Sequence, residues 1–159
     1  LSVGVAILDV DLHHGNGTQG IFWKRRDVFT VSIHADPADF YPFFWGHAHE
    51  KGEGEGEGYN LNLPLPLGSG DEVFLQALAQ ALIAIRAYAP GALVVALGLD
   101  AFEGDPLAGL AVTTEGFGRI AATIAREGYP TLLVQEGGYL TPELGQNLEA
   151  FLAGFEAAR

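Results

Sequence analysis

Strand-like and helix-like patterns alternate along the chain. Residues 3–11 form a continuous apolar run ending in polar residues, as expected for a strand buried on both faces of a parallel sheet. The Gly15-Asn16-Gly17 turn follows, then a short predicted helix over 18–23. Residues 28–33 are rich in β-branched side chains and predict a second strand. Residues 59–65 alternate around Leu61 and Leu63 and predict a third. Ser69, with Glu72 three residues on, has the capping-box pattern. The helix after it presents Phe74, Leu78, Leu82 and Ile85 on one face, and Pro90-Gly91 ends that unit. Residues 92–97 are another apolar strand. Thr113-Thr114-Glu115 opens a helix with Phe117, Ile120 and Ile124 on one side, stopped by Gly128 and Pro130. A strand over 131–134 comes next. Thr141-Pro142 supplies an N-cap and first-turn pair for the last helix, whose buried face is expected to hold Leu144, Leu148, Phe151, Leu152 and Phe155.

Repeated strand–helix units predict an α/β fold with parallel strands, right-handed crossovers and helices on both sides of the sheet. The 159 residues suffice for one domain with a sizeable core, and no internal repeat or linker divides them. Residues 35–58 break the alternation. This long loop holds Phe40, Tyr41, Phe43, Phe44 and Trp45, then a Gly/Glu alternation over 52–58 that we read as exposed. Loops of this length inside a compact domain are often functional.

Composition narrows the chemistry. Eight basic against twenty acidic residues leave a formal charge of −12, which argues against nucleic-acid binding and is compatible with a cationic substrate such as a polyamine. No apolar run approaches the roughly 20 residues of a membrane span. There is no basic leader, and with no cysteine a disulfide framework or thiolate metal site is excluded. The cytoplasm is therefore the expected location, and any metal must be held by His and carboxylate. There is also no methionine, and the chain opens directly on a strand-like run, so a fragment of a longer protein is expected.

In doubly wound sheets, ligands gather at the carboxyl ends of the strands. Three polar clusters are predicted there: Asp9-Val10-Asp11-Leu12-His13-His14, Gly98-Leu99-Asp100 and Gly137-Gly138-Tyr139. Residues two apart in an extended segment share a side, so Asp11 and His13 can face one metal, with Asp9 one step deeper. Asp100 would be a third ligand from another strand, leaving a fourth position open, as in catalytic zinc sites. An isolated Asp-x-His at a strand end is more often a hydrogen-bonded pair than a metal site, and the residues alone leave both readings open.

The segment from Asp9 to Gln19 resembles the zinc-binding motif of the histone deacetylase family. Two further signatures follow in order: Leu97-Gly98-Leu99-Asp100 with Gly104-Asp105-Pro106, and Glu136-Gly137-Gly138-Tyr139. Asn16 and the Glu136 signature look closer to the acetylpolyamine amidohydrolase and class II branches, and His34-Ala35-Asp36-Pro37 with Tyr41-Pro42 looks bacterial and acetylpolyamine-like. The resemblance implies an arginase/deacetylase-like fold, a three-layer α/β sandwich around a mainly parallel sheet, of which residues 1–159 are the C-terminal portion of a single domain lacking its N-terminal part. It implies Asp11, His13 and Asp100 as zinc ligands, Tyr139 as catalytic residue, and Tyr41 and Gly138 at the substrate. Asp9 and Ser32, with backbone near His13 and Ile33, match a potassium site. Phe22, Arg25, Val28 and Tyr59 match a second, backbone-lined one.

The implied chemistry is metal-assisted hydrolysis of an acetylated amine, either an acetylpolyamine or acetyl-lysine. The family's general base is one of two adjacent histidines upstream of the zinc motif, and this sequence contains no such pair. His14 points away from His13's side, His34 is expected to be structural, and His47, His49, Glu53, Glu55 and Glu57 are expected to be solvated. Activity would then require the upstream segment, in cis or as a second chain; a homo-oligomer is another possible partner. The alternatives are a non-catalytic metal-binding or interaction fragment, and an arginase-like two-metal enzyme, which would need more bridging carboxylates.

Overall fold

The computed structural model describes residues 4–159. Strands β1 (Val5–Asp9), β2 (Val28–Ala35), β3 (Asn60–Leu65), β4 (Ala92–Leu97) and β5 (Thr131–Gln135) form one sheet in the order β3-β2-β1-β4-β5, with every pairing parallel. Helices α1 (Asn16–Phe22), α2 (Asp71–Tyr88), α3 (Thr114–Ala125) and α4 (Leu144–Ala157) complete the fold. Val3, expected at the start of β1, lies outside the described residues.

The chain steps from β1 outward to β2 and β3, then returns across them to add β4 on the other side of β1. The crevice between β1 and β4 is therefore the topological switch point, where open parallel sheets bind their ligands.

The two faces of the sheet differ in chemistry. Paired residues share a face, so Leu8, Val31 and Val95 lie on one side. That side is the apolar core, where the β1, β2 and β4 side chains pack against Phe74, Leu78, Leu82 and Ile85 of α2 and Phe117, Ile120 and Ile124 of α3. The opposite face carries Asp9, Thr30, Ser32, His34, Asn60 and Asn62, all buried. Gln19 of α1 hydrogen-bonds Asn60 and Asn62, which places α1 over this polar face. Further along it, Leu132 and Val134 of β5 are exposed.

Several local expectations need correction. Ser69 does not cap α2. Its hydroxyl donates to the Pro66 carbonyl, and Gly70 is the N-cap with no side-chain bond. Thr141 does not cap α4, which starts two residues after Pro142 from Glu143. Leu152 is exposed, whereas Asn147 on the same helix is buried and accepts from the Thr114 hydroxyl. His34 is a residue of β2 rather than the one after it. In β3 the polar Asn60 and Asn62 are more deeply buried than Leu61 and Leu63. α3 opens at the expected Thr113-Thr114-Glu115 segment, and Thr113 caps it, its hydroxyl accepting from Gly116 N–H at 2.9 Å.

Candidate metal centre

Beyond β1 the chain bends through residues 11–13 instead of staying extended as expected, because the Asp9 and Asp11 side chains each receive the N–H two residues on. Asp11 N–H donates to Asp9 Oδ1 at 3.0 Å, and His13 N–H to Asp11 Oδ1 at 2.8 Å. This sets Asp9, Asp11 and His13 on one side. From the end of β4, Asp100 reaches across and accepts Leu12 N–H at 2.9 Å through Oδ1. Its Oδ2 is then left beside His13 Nδ1, 3.1 Å away, and Asp11 Oδ1 stands at the same distance from that nitrogen. The ligand atoms of Asp11, His13 and Asp100 lie within 4.8 Å of one another.

Glycines make room for this convergence. A Cβ on Gly137 would stand 2.4 Å from both Asp11 Oδ2 and Asp100 Oδ2, and one on Gly98 would stand 2.2 Å from Asp11 Oδ2. Gly137 uses the close approach by donating its N–H to Asp11 Oδ2 at 3.0 Å. Gly138 sits at φ +130°, a conformation that favours glycine. Tyr139 follows, half-exposed, on the wall of the same cleft of about 390 Å³, together with Asp9, His14 and Glu136.

The electrostatics suit a cation. Hydrogen bonds to Asp100 first, and then to Asp11, raise the His13 pKa from 6.5 to about 9. Burial pushes the Asp100 carboxyl up, and burial pushes Asp9 well above the usual carboxylate range. Burial, then the Asp100, Asp11 and Asp105 carboxylates, raise the Tyr139 phenol and keep its proton in place at neutral pH. Two carboxylates and an imidazole this compact fit one ion with bonds of about 2.0–2.2 Å, and that donor set suits zinc.

Aromatic rings flank the cluster from the long loop. The Phe40 ring centroid is 5.5 Å from that of His13, and Tyr41 is 6.2 Å away, edge-on. The resemblance points to Tyr41 here; Phe40 stands closer to His13 still. Other candidates lie apart. Ser32 Oγ is paired with His34 Nδ1 at 2.8 Å, and His34 Nε2 with the Gly46 carbonyl at 2.8 Å. His14 turns away and pairs through Nε2 with Gln19 Oε1 at 2.9 Å. His47 and His49 stack on each other, and His47 Nε2 bonds the Phe43 carbonyl. Of the second set, the Phe22 carbonyl accepts Arg25 N–H and the Tyr59 carbonyl accepts Thr30 N–H. Sequence reasoning missed a role for Asp105, whose buried carboxylate accepts Tyr139 N–H.

Residues 2–155 match the histone deacetylase domain. The chain belongs to that family. It is 50% identical over 155 residues to an acetylpolyamine amidohydrolase of Burkholderia pseudomallei, covering 98% of this chain and 46% of the relative. It is 47% identical to the acetylpolyamine amidohydrolase of Mycoplana ramosa, over 94% of this chain and 44% of the relative. A crystal structure of acetylpolyamine aminohydrolase from Burkholderia pseudomallei superposes with a TM-score of 0.96 at 50% identity, covering 99% of this chain and 46% of that one. The deacetylase-like α/β fold expected from the motifs is thus the fold observed. This family member spans about half the length of the curated relatives it matches.

Proposed function

We propose that this chain forms the metal-bearing part of a zinc-dependent deacetylase that hydrolyses acetylated amines. The observation that carries the reading is the convergence of Asp11, His13 and Asp100 at the β1/β4 switch point, in the cleft that Tyr139 lines. In this reading those three side chains hold the zinc. When bound, zinc supplies Lewis acidity, polarising an amide carbonyl and acidifying water.

The chain's own groups do the rest. The Tyr139 hydroxyl, protonated at neutral pH, donates a hydrogen bond to the oxygen of the acetyl group as negative charge develops there. Losing one such donor typically costs about 10²–10³ in rate. Tyr41, together with Phe40, flanks the slim aliphatic stem of the substrate and excludes water, and Gly138 serves the substrate site through its φ of +130°, which brings Tyr139 to the cleft wall. Asp9 and Ser32 are the proposed donors to a potassium ion beneath the zinc, and the backbone of Phe22, Arg25, Val28 and Tyr59 to a second. In this reading no histidine here serves as general base: His13 is a ligand, His14 and His34 are committed to buried hydrogen bonds, and His47 and His49 stack on each other in the long loop, outside the cleft. The base is supplied by another part of the full-length protein. The names of the relatives favour an acetylated polyamine over acetyl-lysine, and the net charge of −12 is compatible with a cationic substrate.

The test is acetate release from N-acetylputrescine and from an acetyl-lysine peptide, by the full-length protein and by this chain, each loaded with zinc. Full-length protein should turn over, losing about 10²–10³ in kcat with Tyr139→Phe, while this chain alone binds zinc with little turnover. Zinc binding indifferent to Asp11→Ala and Asp100→Ala would overturn the reading.

A further inference from the structure

The oxyanion role needs the Tyr139 hydroxyl to be held over the metal ligands, yet the backbone that carries it runs through a glycine at φ +130°. On the near side of that glycine the loop is pinned, because Gly137 N–H donates to Asp11 and the Gly137 carbonyl accepts Leu99 N–H at 2.9 Å. On the far side, among the described residues, one hydrogen bond reaches Tyr139: its N–H donates to Asp105 Oδ2 at 3.2 Å. The phenol itself is half-exposed and contributes no anchor.

We propose that Asp105 is a positioning residue for Tyr139, a role that rests on the reading of Tyr139 as the oxyanion donor. The carboxylate has the geometry for it. Asp105 is 4% exposed and comes from the loop after β4. Its Oδ1 accepts Leu107 N–H at 2.9 Å, which closes a local turn, and its Oδ2 is free to reach the loop after β5. One carboxylate thus ties together the two loops that supply Asp100 and Tyr139. Burying a charged group is costly unless its oxygens are satisfied, and a neutral amide would suffice if capping the local turn were the whole purpose. Two acceptor oxygens are needed only because there are two N–H groups on two loops.

Asp105→Asn separates the two roles. The amide oxygen keeps the local bond to Leu107, and an amide N–H then faces Tyr139 N–H, donor against donor. In the zinc-loaded full-length protein, kcat on N-acetylputrescine should fall about 10- to 100-fold with KM little changed, as expected for a misplaced catalytic group. Zinc affinity should stay at the wild-type level. In a Tyr139→Phe background, Asp105→Asn should add no further loss, because both changes act through one hydroxyl. Amide exchange gives a readout independent of turnover: Tyr139 N–H should be protected in wild type and exchange at least about tenfold faster in the variant. An unprotected Tyr139 amide in wild type, unchanged exchange in the variant, or a full additive loss in the Tyr139→Phe background would each overturn the proposal. An inactive wild type, or a fully active Tyr139→Phe protein, would instead sink the oxyanion reading, while the exchange rates still decide whether Asp105 holds the loop.

Discussion

Replacing Gln19 with leucine keeps nearly the same volume but removes the hub of the polar face. Gln19 is buried, and its Oε1 accepts from His14 Nε2 at 2.9 Å, Asn60 Nδ2 at 3.0 Å and Asn62 Nδ2 at 2.8 Å. Its Nε2 donates to Glu50 Oε2 at 2.6 Å, which fastens the long loop to the sheet. After the change, Asn60 keeps the Glu50 carbonyl, and Asn62 keeps the His47 carbonyl and the Glu50 carboxylate. Gly46 N–H still reaches Glu50. His14 Nε2 keeps nothing, and its Nδ1 is already buried without a partner, so a change of tautomer does not help. One orphaned buried donor costs about 1–3 kcal/mol, and weakening the remaining bonds adds roughly 1 kcal/mol. The sum is about 2–4 kcal/mol. For a chain of this length that corresponds to a fall in Tm of roughly 4–16 °C. Urea and thermal unfolding followed by circular dichroism, at fixed saturating zinc, would measure it. Gln19→Glu is the informative control: it keeps the acceptor but sets a second carboxylate against Glu50, so its deficit should shrink on acidification. A Gln19→Leu protein within about 0.5 kcal/mol of wild type, the range of an ordinary surface substitution, would refute the hub.

Other expectations follow from the same geometry. Burial holds His34 neutral, with its pKa lowered from 6.5 to about 4. The unfolded chain then takes up a proton first as the pH falls, so the stability associated with neutral His34 is fully present above about 6.5 and is lost down to about 4, roughly 3 kcal/mol in all. Denaturation at stepped pH should show this slope, and His34→Gln should flatten it. Gly137→Ala puts a Cβ against the Asp11 and Asp100 carboxylates; in the proposed reading calorimetric zinc affinity should fall by about 10-fold or more, and wild-type affinity would contradict the close approach. Leu78, fully buried between α2 and the sheet, should lose about 2–5 kcal/mol on truncation to alanine, read as a lower urea midpoint.

The parts of this fold that were legible in the sequence are those with local causes. β4 runs over 92–97 as its apolar run predicts, and the four apolar positions of α2 are all buried. Asp11, His13 and Asp100 were nameable because the strand-end rule and the motif spacing are local statements, although the segment that carries the first two bends where an extended run was expected. What escaped depends on partners far away in sequence. The pattern of β3 marks a strand but does not say that its asparagines are the more deeply buried side, since that follows from Gln19, 41 and 43 residues earlier. Ser69 and Thr141 have the composition of caps, yet the Ser69 hydroxyl turns to the Pro66 carbonyl and α4 begins only after Glu143. Asp105 looked like part of a motif; its bond to Tyr139 spans 34 residues and leaves no local trace.

Asp11 and His13 are near neighbours in sequence, but Asp100 meets His13 across 87 residues, through the pairing of β1 with β4. A partly folded chain with only β1, β2 and β3 assembled offers two of the three donors and grips an ion weakly. Contacts this distant in sequence close late, because loop-closure entropy must be met before they return any stability. With zinc as the proposed ion, tight capture should therefore act as a clock during refolding: it starts when β4 docks beside β1, whatever helical signal has already appeared.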